Sequence, residues 1–141
     1  MSIACLEAGM AFSNAILGAV HALAHPLGGF YDIHHGLANS LLLPVVVQQN
    51  MEHALPKFAR IARALGAETR DKSIDAVAQQ VPGQLQDLIT KLGLPTRLSQ
   101  VGVDEADIPR LAQMAENDIC MLTNPHCYMK DEIESMYRDV L

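Results

Sequence analysis

The sequence predicts an all-α fold, a single helical bundle spanning all 141 residues. Three observations predict it. Half of the residues are apolar, yet aromatics make up only 4% and Trp is absent, so the core must be built from Leu, Ile, Val, Ala and Met. That mixture suits packed helices better than the β-branched and aromatic strands of a sandwich. No segment alternates at period two, whereas several repeat apolar residues at helical spacing. No linker, internal repeat or low-complexity tract divides the chain into further domains.

From Ile3 to His25 an Ala-, Leu- and Met-rich run holds no Pro and only Gly9 and Gly18 as weak points, which predicts one nearly all-buried helix. Its small residues, from Ala8 and Gly9 to Ala22 and Ala24, would let a neighbouring helix approach closely. Pro26 to His35 reads as a loop, and a second apolar helix follows from Gly36 to Met51. Pro44 lies inside that helix and predicts a kink or break near Leu43. Pro56 sits near the first turn of the next helix, where Phe58, Ile61, Ala62 and Leu65 recur at helical intervals before Gly66 closes it. Ser73–Gln80 and Gly83–Leu92 read as short amphipathic helices, and Gly93-Leu94-Pro95 is a stop signal. Ile108–Asp118 forms a further helix with Asp107 as its cap and Pro109 in its first turn. The last helix, Asp131–Leu141, opens on acidic residues that suit the helix dipole.

Charge and targeting signals narrow the function. Ten Lys and Arg against sixteen Asp and Glu leave a net charge of −6, so there is no basic face for nucleic acid. The N-terminal segment lacks a basic region and is interrupted by Glu7, so it does not read as a secretory signal. Leu37–Val47 is apolar but too short to span a membrane and contains Pro44. Cys5, Cys120 and Cys127 form no CxxC pair and are odd in number, which predicts a reduced, cytoplasmic setting.

The chemistry concentrates in one stretch. Four of the six histidines, His21, His25, His34 and His35, fall within fifteen residues. His21 and His25 are four apart, so on a helix both rings share one face. Pro26 and Gly28-Gly29 then let the chain turn and bring His34 or His35 towards the same spot. Burying three imidazoles among Ala and Leu leaves nitrogens in need of partners, at roughly 1–3 kcal/mol for each one unsatisfied. A shared cation would satisfy them together, although spacing alone names neither the full ligand set nor the metal. His53 and His126, each taken singly, read as hydrogen-bonded core residues.

The run His21-Ala22-Leu23-Ala24-His25-Pro26-Leu27-Gly28-Gly29-Phe30-Tyr31, the His35-Gly36 pair, Ala38-Asn39 and Leu42-Leu43-Pro44 closely resemble the histidine signature of the iron-containing (group III) alcohol dehydrogenases. Asp118-Ile119-Cys120, Thr123-Asn124-Pro125 and the acidic terminal helix are similar to that family's C-terminal ending. The resemblance implies an all-helical C-terminal domain that carries a divalent metal, Fe2+ or in some members Zn2+, beside an N-terminal domain that binds NAD or NADP. It implies metal ligation by His21 and His35. It also implies that His25 lies beside the metal and the nicotinamide, as the catalytic and cofactor-contacting histidine. Cys120 and Phe30 are its weaker candidates for a substrate pocket, against the plainer readings of a packed thiol and an aromatic under a turn.

The same resemblance implies that the two remaining ligands, an Asp and a His one helical turn apart, and the nucleotide-binding domain lie upstream of Met1. Gly28-Gly29 follows a helix and is not a dinucleotide fingerprint. The chain is therefore expected to act on a small alcohol or aldehyde only as part of a larger, homo-oligomeric enzyme and to be inactive alone. The alternative is a stand-alone helical metal-binding or oligomerisation module. His34 replaces the Pro that most relatives carry before the second ligand, and is expected to face solvent. Asp32 reads as a locally bonded loop residue, and the acidic stretch from Glu116 to Glu134 as a solvated face.

Overall fold

A computed structural model describes residues 1–141 and contains helices and turns but no strand. Seven α-helices follow in order: α1 (Ser2–Ala15), α2 (Ala19–Tyr31), α3 (His35–Ala64), α4 (Ile74–Ala78), α5 (Val81–Lys91), α6 (Ile108–Glu116) and α7 (Lys130–Asp139). Short 3-10 turns cover Leu98–Val101, Glu105–Asp107 and Ile119–Thr123.

The main core is built around α2, which packs against the first half of α3, α6, α7 and the turn at Ile119–Thr123. Ala19, Ala22, Leu23 and Leu27 are wholly buried there, with Leu42, Ile108, Leu111, Ile133 and Tyr137. A smaller cluster joins the second half of α3 to α4 and α5 through Met51, Phe58, Ala62, Val77 and Val81. Tyr137 spans the main core, and its hydroxyl donates to the Leu23 carbonyl at 2.6 Å. Burial pushes that phenol far above its usual range, so it acts as a neutral donor.

The predicted single helix Ile3–His25 is instead two helices, bent by 104° at Ile16–Gly18. The cause lies over a hundred residues away. Asn124 Oδ1 accepts the N–H of Ala19 at 3.0 Å and so caps α2 from another element. A Cβ on Gly18 would lie 2.9 Å from that oxygen, so glycine is required at the corner. Asn124 and Asn50 exchange amide hydrogen bonds of 2.7 and 2.9 Å, and the Tyr128 hydroxyl donates to Asn50 Oδ1. Contrary to the expected burial, α1 has no buried residue and exposes Ile3, Leu6, Met10 and Phe12. No single helix is long and apolar enough to cross a membrane.

The prolines also act differently from their sequence reading. The predicted loop at Pro26–His35 shrinks to Asp32–His34, because α2 continues through Pro26 to Tyr31. Pro26 removes one helical hydrogen bond, at a cost of about 3 kcal/mol, and its burial with Leu23 and Leu27 offsets this. Pro44 likewise leaves α3 unbroken near Leu43; the break comes at Ala54, two residues before Pro56. Asp107 stands at the start of α6, but its carboxylate accepts from the Tyr31 hydroxyl at 2.5 Å and caps nothing. At the start of α7 the Met129 N–H, just before the helix, donates to Glu132 and the Lys130 N–H to Glu116. These bonds, and the burial of Glu134 to 14% side-chain exposure, correct the reading of that acidic stretch as a purely solvated face.

The division between buried α2 and bare α1 is measurable. Leu23→Ala should cost about 2–5 kcal/mol of unfolding free energy. Leu6→Ala on α1 should change it by less than about 0.5 kcal/mol. Urea denaturation of both variants checks the contrast.

Candidate metal centre

One turn of helix and one reversal build the centre. His21 and His25 project from the same face of α2, as their spacing requires. Asp32 then ends α2 in the left-handed conformation (φ 54°, ψ 29°), its N–H bonded to the Gly28 carbonyl. Asp is one of the few non-glycine residues that tolerate this region. Three residues later α3 begins at His35. The ring centres of His21 and His35 lie 5.2 Å apart, those of His21 and His25 6.0 Å, and those of His25 and His35 5.8 Å.

This spacing can be tested against a cation. A metal–nitrogen bond of about 2.1 Å, plus about 1.1 Å from nitrogen to ring centre, puts two ligating imidazoles roughly 4.5–5.3 Å apart between octahedral and tetrahedral angles. The His21–His35 pair falls in this range and the other two pairs lie outside it. The surroundings of His21 suit a ligand as well. Burial, followed by the neighbouring His35 and His25, lowers the His21 pKa, which keeps its ring neutral, while Asp118 opposes the shift. His35 Nε2 lies 3.2 Å from the Asn39 amide nitrogen, which donates to it when the ring carries its proton on Nδ1. The same amide donates to the His35 carbonyl at 2.8 Å, while the buried Asn39 Oδ1 has no partner.

On its other side His25 meets an acid at the predicted end of the helix from Ile108, Asp118. Its Nδ1 lies 2.7 Å from Asp118 Oδ2. Asp118 Oδ1 accepts the N–H of Cys120 at 2.8 Å, capping the turn Ile119–Thr123. Burial alone would raise the Asp118 pKa, but the bonds from His25 and Cys120 outweigh it and hold the carboxyl below its usual range. Burial and Asp118 together push the Cys120 thiol up, so it stays protonated. Donor atoms of His25, Asp118 and Cys120 all lie within 4.8 Å of one another. The sequence signal for Asp118 was its place two residues before Cys120, a capping position whose second oxygen is free for another partner.

The remaining candidates lie apart. A cleft of about 650 Å³ opens beside His21 and His35, lined also by Ile16, Leu17, Val20, Asn39 and Leu43. Neither Phe30 nor Cys120 lines it. The Phe30 ring carries the Arg110 guanidinium 3.9 Å from its centre. Tyr31 packs under the turn before α6, bonded to Asp107 and the Asp104 N–H. His34 is exposed and its Nδ1 accepts from the Gly36 N–H at the start of α3. His53 and His126 are not hydrogen-bonded core residues; they stack on each other near the surface at 4.5 Å, with His126 Nε2 3.4 Å from Glu132.

The family model of the Fe-containing alcohol dehydrogenases, C-terminal, matches residues 1–141. The chain belongs to this family. It is similar to the 1,3-propanediol dehydrogenase of Klebsiella pneumoniae, at 42% identity over 138 residues, covering 98% of this chain and 36% of that protein. It is also similar to the lactaldehyde reductase of Escherichia coli (strain K12), at 39% identity over 97% of this chain and 36% of that protein. The crystal structure of a 1,3-propanediol oxidoreductase superposes with a TM-score of 0.93 at 40% identity, over 95% of this chain and 35% of the other. The chain thus spans about a third of the length of these iron-containing alcohol dehydrogenase relatives, and its all-helical fold is that of the family's C-terminal domain.

The depressed Asp118 pKa has a sign that can be checked. Its contribution to stability is complete above the ordinary carboxylate pKa and is lost as pH falls through the lower folded value. The stability difference between the wild type and Asp118→Asn should therefore shrink as pH drops from roughly 5 to 2. Urea unfolding across that range measures it.

Proposed function

We propose that this chain is the metal-carrying part of an alcohol dehydrogenase that interconverts a small primary alcohol or diol and its aldehyde. The observation that carries the reading is the 5.2 Å separation of the His21 and His35 rings, with burial holding the His21 pKa down. Dehydrogenase and reductase activities are named for the relatives.

In this reading His21 and His35 hold a divalent metal, Fe2+ in the first place and Zn2+ as a substitute, with further ligands from an N-terminal domain. When bound, the cation supplies Lewis-acid polarisation of an alcohol oxygen and the nicotinamide of NAD or NADP a place for the hydride. His25, beside both ligands, contacts substrate and cofactor and moves the proton. The cleft beside His21 offers Leu17, Val20 and Leu43 to the carbon chain of the alcohol. The bare apolar surface of α1 packs against the N-terminal domain or a second subunit, since a helix apolar on all sides is stable when covered. Three free thiols suit a reducing, cytoplasmic setting.

With two ligands the isolated chain binds metal weakly and turns over no alcohol. Calorimetric titration with Zn2+, and anaerobically with Fe2+, tests this. His21→Ala and His35→Ala should each weaken binding at least about tenfold, and His34→Ala should not. Unchanged affinity in both ligand variants overturns the assignment. Tight, stoichiometric binding by the isolated chain would favour a stand-alone metal-binding module instead.

A further inference from the structure

Asp118 performs two tasks with two oxygens. Oδ1 caps the Ile119–Thr123 turn through the Cys120 N–H, which completes its local role. Oδ2 reaches 93 residues along the sequence to Nδ1 of His25, at 2.7 Å. A carboxylate has only lone pairs to offer, so the proton in that bond belongs to Nδ1. A neutral His25 then keeps its basic lone pair on Nε2. The Asp118 side chain is only 18% exposed, which limits competition from water, whereas the His25 side chain is 42% exposed.

We propose that Asp118 is a positioning residue, whose carboxylate locks the orientation and tautomer of His25 so that Nε2 stands ready for the hydroxyl proton of an alcohol. The proposal rests on the reading of His25 given above. In the step, the O–H bond breaks and its electron pair stays on oxygen, while a new N–H bond forms at Nε2. His25 becomes an imidazolium, whose charge Asp118 balances, as the aspartate of a Ser-His-Asp triad does for its histidine. The partly exposed ring returns the proton to water. A merely structural tie between α2 and the Ile119–Thr123 turn would set the same tautomer but would leave kcat untouched once the fold and the metal are in place.

Long-range 15N–1H spectra of the imidazoles read the tautomer directly in the isolated chain. The wild type should hold His25 as Nδ1–H with an unprotonated Nε2. In Asp118→Asn the oxygen remains on the Cys120 N–H, so the amide nitrogen faces Nδ1 and the tautomer reverses to Nε2–H. Asp118→Ala should release the constraint and Asp118→Glu should restore it in part. A wild-type Nε2–H form, or Nδ1–H persisting in Asp118→Asn, overturns the proposal. Turnover separates it from the reading beneath it. With the nucleotide-binding domain present, Asp118→Asn and His25→Ala should each lower kcat on the order of a hundredfold at unchanged metal content. His25→Ala at full kcat overturns the reading of His25. Asp118→Asn at full kcat beside an impaired His25→Ala overturns the role of Asp118.

Discussion

The reversal at Asp32–His34 is the constraint on which the rest of this domain depends. Three residues separate the end of α2 from the start of α3, so His35 at the first position of one helix is delivered beside two histidines on the face of the other. The left-handed turn at Asp32 costs an L-residue about 1–2 kcal/mol, and the bond from its N–H to Gly28 helps to hold it. A loop of ten residues would leave the ring spacing to chance. A reversal this short makes it a property of the backbone.

A reversal places rings usefully only if the two helices keep their positions, and distant residues see to that. Asn124 caps α2 in place of any local side chain and is bonded in turn to Asn50 on α3 and, through it, to Tyr128. Tyr137, from the last helix, bonds the Leu23 carbonyl between His21 and His25. Each of these groups is satisfied by another, and leaving one bare would cost about 1–3 kcal/mol. The C-terminal segment therefore acts as a brace on α2, and Asp118 continues the brace to the His25 ring itself.

Much of the fold was legible because it is local. Apolar spacing and composition gave the helical class, and the i, i+4 separation of His21 and His25 gave the shared face. Gly66 and Pro56 marked the ends of the second half of α3 as read. What could not be read was set by contacts far along the chain. The corner at Gly18 is held by Asn124, whose bond to Ala19 spans 105 residues, and Gly18 shows in the sequence only as a weak point, not as a corner. Pro26 and Pro44 looked like breaks because the penalty of a helical proline is visible in sequence, whereas the burial that offsets it is not. Asp118 was hidden for the same reason. Its capping role is written two residues away, but its partner His25 lies on another helix.

The domain so built offers two imidazoles at a coordinating distance with a cleft beside them, and a third imidazole held by a carboxylate. Anomalous diffraction at the zinc absorption edge, on crystals of the chain soaked in Zn2+, tests this account most directly. A peak is expected between the rings of His21 and His35. A peak among His25, Asp118 and Cys120, or at the stacked His53 and His126, with none at the first position, would contradict it.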